Sequence, residues 1–236
     1  MAQSYFIWND VDSRNKGIIM RHAAPIIRPE ERVQHEVIPG MSGDLTEIEG
    51  DNIYNAYIQT VEISVKSATQ VHAAFRWLRG SGYVTFSGQP YRKQEARIIG
   101  AVTLDKVSRN MDHWAGQVQF YCQPLKEALS ETAITLTASG TVNNNGDVPA
   151  YPIILVYPTG QQSYVDVTVN GQTLRMTNIR GGRRIDCKAK EITNIAQTVL
   201  VTKNSAGPFP VLQLGSNTVS GSGWTRLEIY KQERYL

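Results

Sequence analysis

The chain of 236 residues contains only two cysteines, Cys122 and Cys187, and four histidines, His22, His35, His72 and His113. Two thiols far apart in sequence cannot make a metal site by themselves, and a small secreted scaffold stapled by disulfides uses more of them. We read both as buried thiols of a protein that folds in a reducing cytoplasm. The histidines have no ligand spacing, so each reads as a surface or packing residue. Long apolar runs are missing too: no stretch approaches the roughly 18 apolar residues that a membrane helix needs. The first ten residues hold neither a basic region nor an apolar run, so a secretory signal is not expected there. Charged residues make up 19%, against roughly 25% in an average soluble protein, which predicts a surface rich in amides and hydroxyls.

What the chain does have is β-branched side chains. Ile, Val and Thr number 20, 20 and 18, about a quarter of all residues. Such side chains suit pleated sheets and lose rotamer freedom in helices, so the fold class is mainly β. With 41% hydrophobic residues and a net charge of +3, there is enough apolar area to offset chain entropy, and disorder is excluded. The length fits one large or two small domains.

Strand and helix signals are uneven along the chain. Tyr5–Trp8 and Gly17–Met20 read as short strands, and Pro25 to Asn55 as loop-heavy, punctuated by Pro and Gly. Tyr57–Lys66 alternates, with Val61, Ile63 and Val65 on one face. One helix follows: Ser67 is an N-cap, Gln70 completes a capping-box pattern, Val71, Ala74, Phe75 and Leu78 form an apolar stripe, and Gly80 is placed to end it. Tyr83–Phe86, Glu95–Leu104 and Gly116–Gln123 read as strands, the last stopped by Pro124. A boundary near Ser130 divides the chain into domains 1–130 and 131–236. The second is strand after strand: Ala133–Ala138, the apolar run Tyr151–Tyr157, Tyr164–Val169 and Thr173–Met176 around the hairpin signal Asn170-Gly171, then Thr177–Arg180, Arg183–Cys187, Thr198–Thr202 and Trp224–Tyr230. Such spacing implies a β-sandwich.

Motifs for chemistry are incomplete. Gly80-Ser81-Gly82 begins a nucleotide loop, but Thr85 stands where the third glycine belongs, and no Gly-Lys-Ser/Thr occurs. His35-Glu36 begins a zincin helix, but Pro39 replaces the second histidine, and no Gly-x-Ser-x-Gly elbow is present. Asp147, Asp166, Asp186 and Glu191 are the carboxylates available for glycoside cleavage in the second domain, yet Asp166, between Val165 and Val167, points outward. Arg180-Gly181-Gly182-Arg183-Arg184 reads as a hairpin turn with solvated arginines, in preference to a single-strand nucleic-acid segment. No metal, cofactor or catalytic residue is expected.

Charge is segregated. Val33–Val65 contains Glu36, Asp44, Glu47, Glu49, Asp51 and Glu62 and no Lys or Arg. This is either a solvated acidic loop or a surface that repels something anionic.

The order of features resembles one family, the distal tail proteins of long-tailed siphophages, best described from phages of Gram-positive hosts. Three segments carry the resemblance. One is Val37-Ile38-Pro39-Gly40-Met41-Ser42-Gly43-Asp44-Leu45, then a strand, one helix and Gly116–Lys126. Another is Asn145-Gly146 with Ala150-Tyr151-Pro152-Ile153-Ile154. The last runs from Ile185-Asp186-Cys187 through Phe209–Val219 to the terminal strand. The resemblance implies an N-terminal β domain with one helix that joins copies into a homo-hexameric ring, and a C-terminal galectin-like β-sandwich. It implies a virion protein at the distal tail tip, made in the bacterial host cytoplasm. Its partners would be the tail tube protein, a tail-associated hub, lysin or fibre protein, and a receptor-binding protein on the C-terminal domain, with no membrane insertion. DNA would pass through the ring without specific binding. In that setting Asp44, Glu47, Glu49 and Asp51 are expected to line the lumen, where negative charge keeps ejecting DNA from sticking. Relatives with inserted carbohydrate-binding modules are longer; this chain has no room for one. The alternatives from other classes are a lectin-like module and a glycan-acting enzyme.

Overall fold

A computed structural model describes residues 3–48 and 50–236. Two compact units make up the chain, one running to Leu129 and taking in Leu236, the other Ser130–Tyr235.

The first unit comprises β1 (Phe6–Trp8), β2 (Val11–Asp12), β3 (Ile18–Met20), β4 (Val33–Glu36), β5 (Leu45–Ile48), β6 (Tyr57–Val65), α1 (Ala68–Trp77), β7 (Ser81–Phe86), β8 (Arg92–Ser108) and β9 (Met111–Ala128). Its main antiparallel sheet runs β2-β1-β7-β8-β9-β6-β3. Alternation explains β9. Val118, Phe120 and Cys122 are fully buried, while Gln117, Gln119, Tyr121 and Gln123 are exposed on the other face. β6 pairs with β9 from Tyr57↔Cys122 to Val65↔Trp114 and sends Val61, Ile63 and Val65 into the same core. The Phe120 ring meets Phe6, Trp8 and Phe86 at centroid distances of 5.5, 5.5 and 5.8 Å, and Phe6 stacks on Trp77 of α1 at 5.6 Å. Ring pairs of this kind add about 0.5–1.5 kcal/mol each beyond area burial.

One expectation fails here for an identifiable reason. Pro124 does not end β9, which continues to Ala128. The register shifts between Ala96↔Cys122 and Gln94↔Lys126, so Pro124 sits in a bulge beyond the last residue paired with β6, where no ladder N–H is needed. The Gln94 side chain fills that bulge: its amide donates to the Gln123 carbonyl, and the Tyr57 hydroxyl donates to its Oε1 at 3.1 Å. Loop-heavy Pro25–Asn55 also carries a separate two-stranded ladder, β4 with β5.

The helix starts where its cap predicts. Ser67 has extended backbone angles, and its Oγ accepts from the Gln70 N–H at 3.3 Å. Gln70 Oε1 closes the box one residue early, accepting from the Lys66 N–H at 2.9 Å. Asp112, from the start of β9, adds a cap invisible in the local sequence. Its carboxylate accepts from the Ala68 N–H at 3.3 Å and from the Trp114 indole at 2.9 Å, a favourable charge at a helix N-terminus. Val71, Ala74 and Leu78 are buried, but Phe75 is 40% exposed, because the buried stripe turns toward Trp77. The helix ends with the Leu78 N–H on Ala74 O at 2.7 Å; Gly80, left-handed at φ +82°, lies two residues further on.

The second unit is a two-sheet sandwich. Its strands are β10 (Ile134–Leu136), β11 (Gly140–Asn144), β12 (Ile153–Pro158), β13 (Gln162–Val169), β14 (Gln172–Ile179), β15 (Arg183–Asp186), β16 (Glu191–Asn194), β17 (Ser205–Ala206), β18 (Gly215–Ser222) and β19 (Trp224–Tyr230). The sheets run β10-β19-β12-β15-β16 and β11-β18-β13-β14-β17. Asn170-Gly171 joins β13 to β14 with φ of +49° and +80°, the two positive angles that a type I′ turn needs. The apolar run in β12 is not wholly buried: Ile154 and Val156 face the core, whereas Ile153, Leu155 and Tyr157 are half-buried. Thr198–Thr202 forms no strand. The Asn194 carboxamide oxygen takes the N–H groups of Thr198 and Val199 at 2.8 and 3.1 Å, and side-chain bonds of this kind compete with a ladder.

Asn217 holds β18 in place. It is fully buried; its oxygen accepts from the Gln213 N–H and the Asn170 amide, both at 2.7 Å, and its amide donates to the carbonyls of Gln213 and Gly215 at 2.8 and 2.9 Å. Gly221 lets β18 approach β13, since a Cβ there would lie 2.0 Å from the Asp166 carbonyl. Glu233 ties the end of the unit to the turn after β11. Burial alone would raise its carboxyl, but the Lys231 ammonium, the Asn145 N–H at 2.8 Å and the Tyr235 hydroxyl at 2.7 Å outweigh that and hold it below the ordinary range.

Three outcomes follow from this packing. Asn217→Ala strands several buried polar groups and is expected to cost on the order of 2–4 kcal/mol in urea unfolding. The stabilisation from Glu233 is complete above its unfolded value near 4.5 and drains away as pH falls through its lower folded value. Comparing the acid titration of stability with that of Glu233→Gln should show the variant lacking that component. Burial pushes the Cys122 thiol up to about 12 and raises Cys187 as well. Neither should react with a thiol reagent at pH 8 until the chain is unfolded, at which point both should.

Candidate functional site

Within the first unit, the acidic stretch becomes a hairpin. Its foot is fastened by the Arg32 N–H on Ile53 O at 2.9 Å, the Asn55 N–H on Glu30 O at 2.8 Å and the Glu31↔Tyr54 bridge, with Tyr54 buried. Above the foot, β4 and β5 pair only with each other among the described residues. A two-stranded ribbon of this length is marginal in water unless something covers it. The register places Gln34, Glu36, Leu45 and Glu47 on one face and Val33, His35 and Thr46 on the other, where His35 Nδ1 lies 3.2 Å from Thr46 Oγ1. The tip is both apolar and exposed: Val37 at 74%, Met41 at 51%, with Ile38 and Leu45 beside them.

Of the four acids singled out from sequence, Asp44 stands at the tip, Glu47 on β5 and Asp51 at the foot, all exposed; Glu49 lies outside the described residues. The structure thus gathers three of them on one hairpin and adds Glu36 on the same face as Glu47. Glu36, Asp44, Glu47 and Asp51 hold no ion pair among the described residues. The arrangement presents solvated charge and apolar side chains, which suits recognition better than chemistry.

A second uncovered surface is the outer face of the main sheet, where Ile58 and Thr60 of β6 adjoin Gln119 and Tyr121 of β9. A third is the solvent side of α1, with His72, Phe75 and Arg76 exposed and Arg79 exposed just beyond it.

The carboxylates considered for catalysis are dispersed or occupied. Asp166 points outward from β13, as its neighbours predict, and the Arg175 guanidinium across the ladder grips both of its oxygens at 2.8 Å. That bond holds the Asp166 carboxyl below its ordinary value, the reverse of what a general acid needs. Asp186 accepts from Arg184 at 3.1 Å and from the Ala189 N–H at 3.0 Å, and Glu191 faces it across the β15–β16 pair in the other sheet. Asp147 lies exposed in the turn after β11. Arg183, from the arginine–glycine turn, donates to the carbonyls of Gly181 and Gly182 at 3.1 and 3.2 Å and so braces its own loop. Among the described residues, no three His, Cys, Asp or Glu side chains cluster as metal ligands.

No protein-family model matches the sequence, and no curated protein matches it. Solved structures do. The crystal structure of Dit (gp 19.1) from phage SPP1, described as a paradigm of the hub adsorption apparatus in phages that infect Gram-positive bacteria, superimposes with a TM-score of 0.80. The match covers 100% of both chains at 15% sequence identity. Over its whole length, the protein therefore has the fold of SPP1 Dit.

Proposed function

We propose that the chain is a structural component of a siphophage tail tip. Six copies join into a ring that links the tail tube to the host-recognition apparatus and leaves a channel for DNA. The observation that supports this reading is the full-length likeness to SPP1 Dit, a hub of an adsorption apparatus. Fold alone does not carry function, and the surface adds its own argument. The main sheet ends in strands of two and three residues, β2 and β3, and an unsupported ribbon with an apolar tip stands out from the same unit. Such features are completed by contact with another copy. The ring would meet the tail tube protein on one side and a tail-associated hub, lysin or fibre protein on the other, with the second unit as a platform for a receptor-binding protein. Its role is mechanical, with no catalytic step, in a virion assembled in the host cytoplasm.

In such a ring the acidic hairpin has two seats open to it. One is the channel wall, where Asp44, Glu47, Glu49 and Asp51 would repel passing DNA; the other is the neighbouring copy. Assembly itself is tested by light scattering and electron microscopy. A particle about six times the 26.3 kDa monomer mass, annular in projection, is expected. Antibody labelling should mark the tail tip of the parent particle. Labelling elsewhere, or turnover of a wall polysaccharide by the purified chain, would overturn the reading.

A further inference from the structure

Two adjacent stretches of the chain separate its charge by sign. Val33–Val65 holds six carboxylates and no Lys or Arg; Lys66–Gln94, which follows it, holds Lys66, Arg76, Arg79, Arg92 and Lys93 and no Asp or Glu. Folding does not cancel the two sets. On the hairpin, Glu36, Asp44 and Glu47 hold no ion pair among the described residues, and neither do Lys66, Arg76 and Arg79. The outer face of α1 therefore carries an exposed aromatic ring, Phe75, flanked by guanidinium groups. The hairpin carries exposed Val37, Ile38 and Met41 flanked by carboxylates. One surface repeats the pattern of the other with the charge inverted. Within the chain α1 turns its buried side to β6 and β9, and no described residue covers His72, Phe75 and Arg76 on its outer face.

We propose that the β4–β5 hairpin of one copy lies on the outer face of α1 of a second copy. Val37, Ile38 and Met41 pack against Phe75, and Glu36, Asp44 and Glu47 face Arg76 and Arg79. The proposal rests on the ring reading and names the contact between ring neighbours. The surface given differs from the surface taken, so the contact is heterologous, and repeating it closes a ring when the rotation permits. Exposed ion pairs are individually weak. Their part is to choose the partner and its orientation, while removal of the apolar tip from water supplies the attraction.

Cross-linking of the full-length chain tests this, because the two native thiols are buried and silent. Met41→Cys is mixed with Phe75→Cys, or with His72→Cys on the same face should Phe75→Cys fail to fold, and the mixture is oxidised. A disulfide-linked pair is expected in the mixture and not with either variant alone. Its yield should fall in 1 M salt, where the screening length shrinks to about 3 Å. Adding Arg76→Glu and Arg79→Glu to the helix partner should cut the yield about tenfold, the effect of a few weak pairs together. Adding Glu36→Arg and Glu47→Arg to the hairpin partner should then restore it. A mixture giving no linked pair overturns the contact, as does a yield indifferent to charge reversal; the latter would return the carboxylates to the channel wall. If annular particles form while the cross-link fails, only this contact falls. If no annular particle forms and the tail tip is unlabelled, the ring reading falls with it.

Discussion

Phe120 is the hinge of the first unit. Its ring touches those of Phe6, Trp8 and Phe86, which come from the first strand and from β7, while its own strand is laddered on both flanks by β6 and β8. Because successive strand residues face opposite ways, a slip of one residue would bury Gln119 and Tyr121 and expose Phe120 and Cys122. The register of β9 is therefore fixed by the core, and everything hung on β9 is fixed with it. That includes the carboxylate of Asp112 at the start of α1, the bulge that accommodates Pro124, and the long ribbon shared with β8. The second unit rests on a polar constraint instead. Asn217, buried and fully bonded, holds a strand poor in apolar residues in the middle of a sheet.

Much of this was legible in the sequence wherever a periodic pattern matched burial. The alternation in β6 and β9, the Ser67 cap and the Asn170-Gly171 turn each use a local rule that the tertiary structure respects. What was hidden depended on partners far away in the chain. β18, Gly-Ser-Asn-Thr-Val-Ser-Gly-Ser, has almost no intrinsic strand preference; it is a strand because β11 and β13 flank it and glycine admits the Asp166 carbonyl. Thr198–Thr202 has strand composition, but the N–H groups of Thr198 and Val199 go to the Asn194 side chain, which leaves a single bridge from Leu200 to Thr193. Pro124 reads as a stop only to an eye that cannot see a bulge. Phe75 belongs to the apolar stripe by spacing and leaves it because Trp77 stacks on Phe6.

The candidate surface was half legible. A run of carboxylates without a single base is plain in the sequence, but that Asp44, Glu47 and Glu36 share one uncovered ribbon follows only from the pairing of β4 with β5. Their meaning changes accordingly. A loop of solvated acids needs no cover, whereas a two-stranded ribbon left to itself is marginal in water. The second unit shows the converse. Of the four carboxylates that sequence could not exclude from catalysis, Asp166 is gripped by Arg175, Asp186 is engaged by Arg184 and its own loop, Glu191 stands opposite Asp186, and Asp147 lies exposed in a turn.

The long separation between Phe6 and Phe120 also bears on how the chain comes into being. As it leaves the ribosome, the first strand emerges with its aromatic side chains bare. Its ladder partner, Phe86, appears some eighty residues later, and Phe120 more than a hundred. Contacts so distant in sequence make closure slow and leave greasy strands unguarded meanwhile. A nascent chain of this kind has reason to lean on a chaperone during synthesis, and a truncation anywhere before β9 would yield a fragment that cannot hide its own interior.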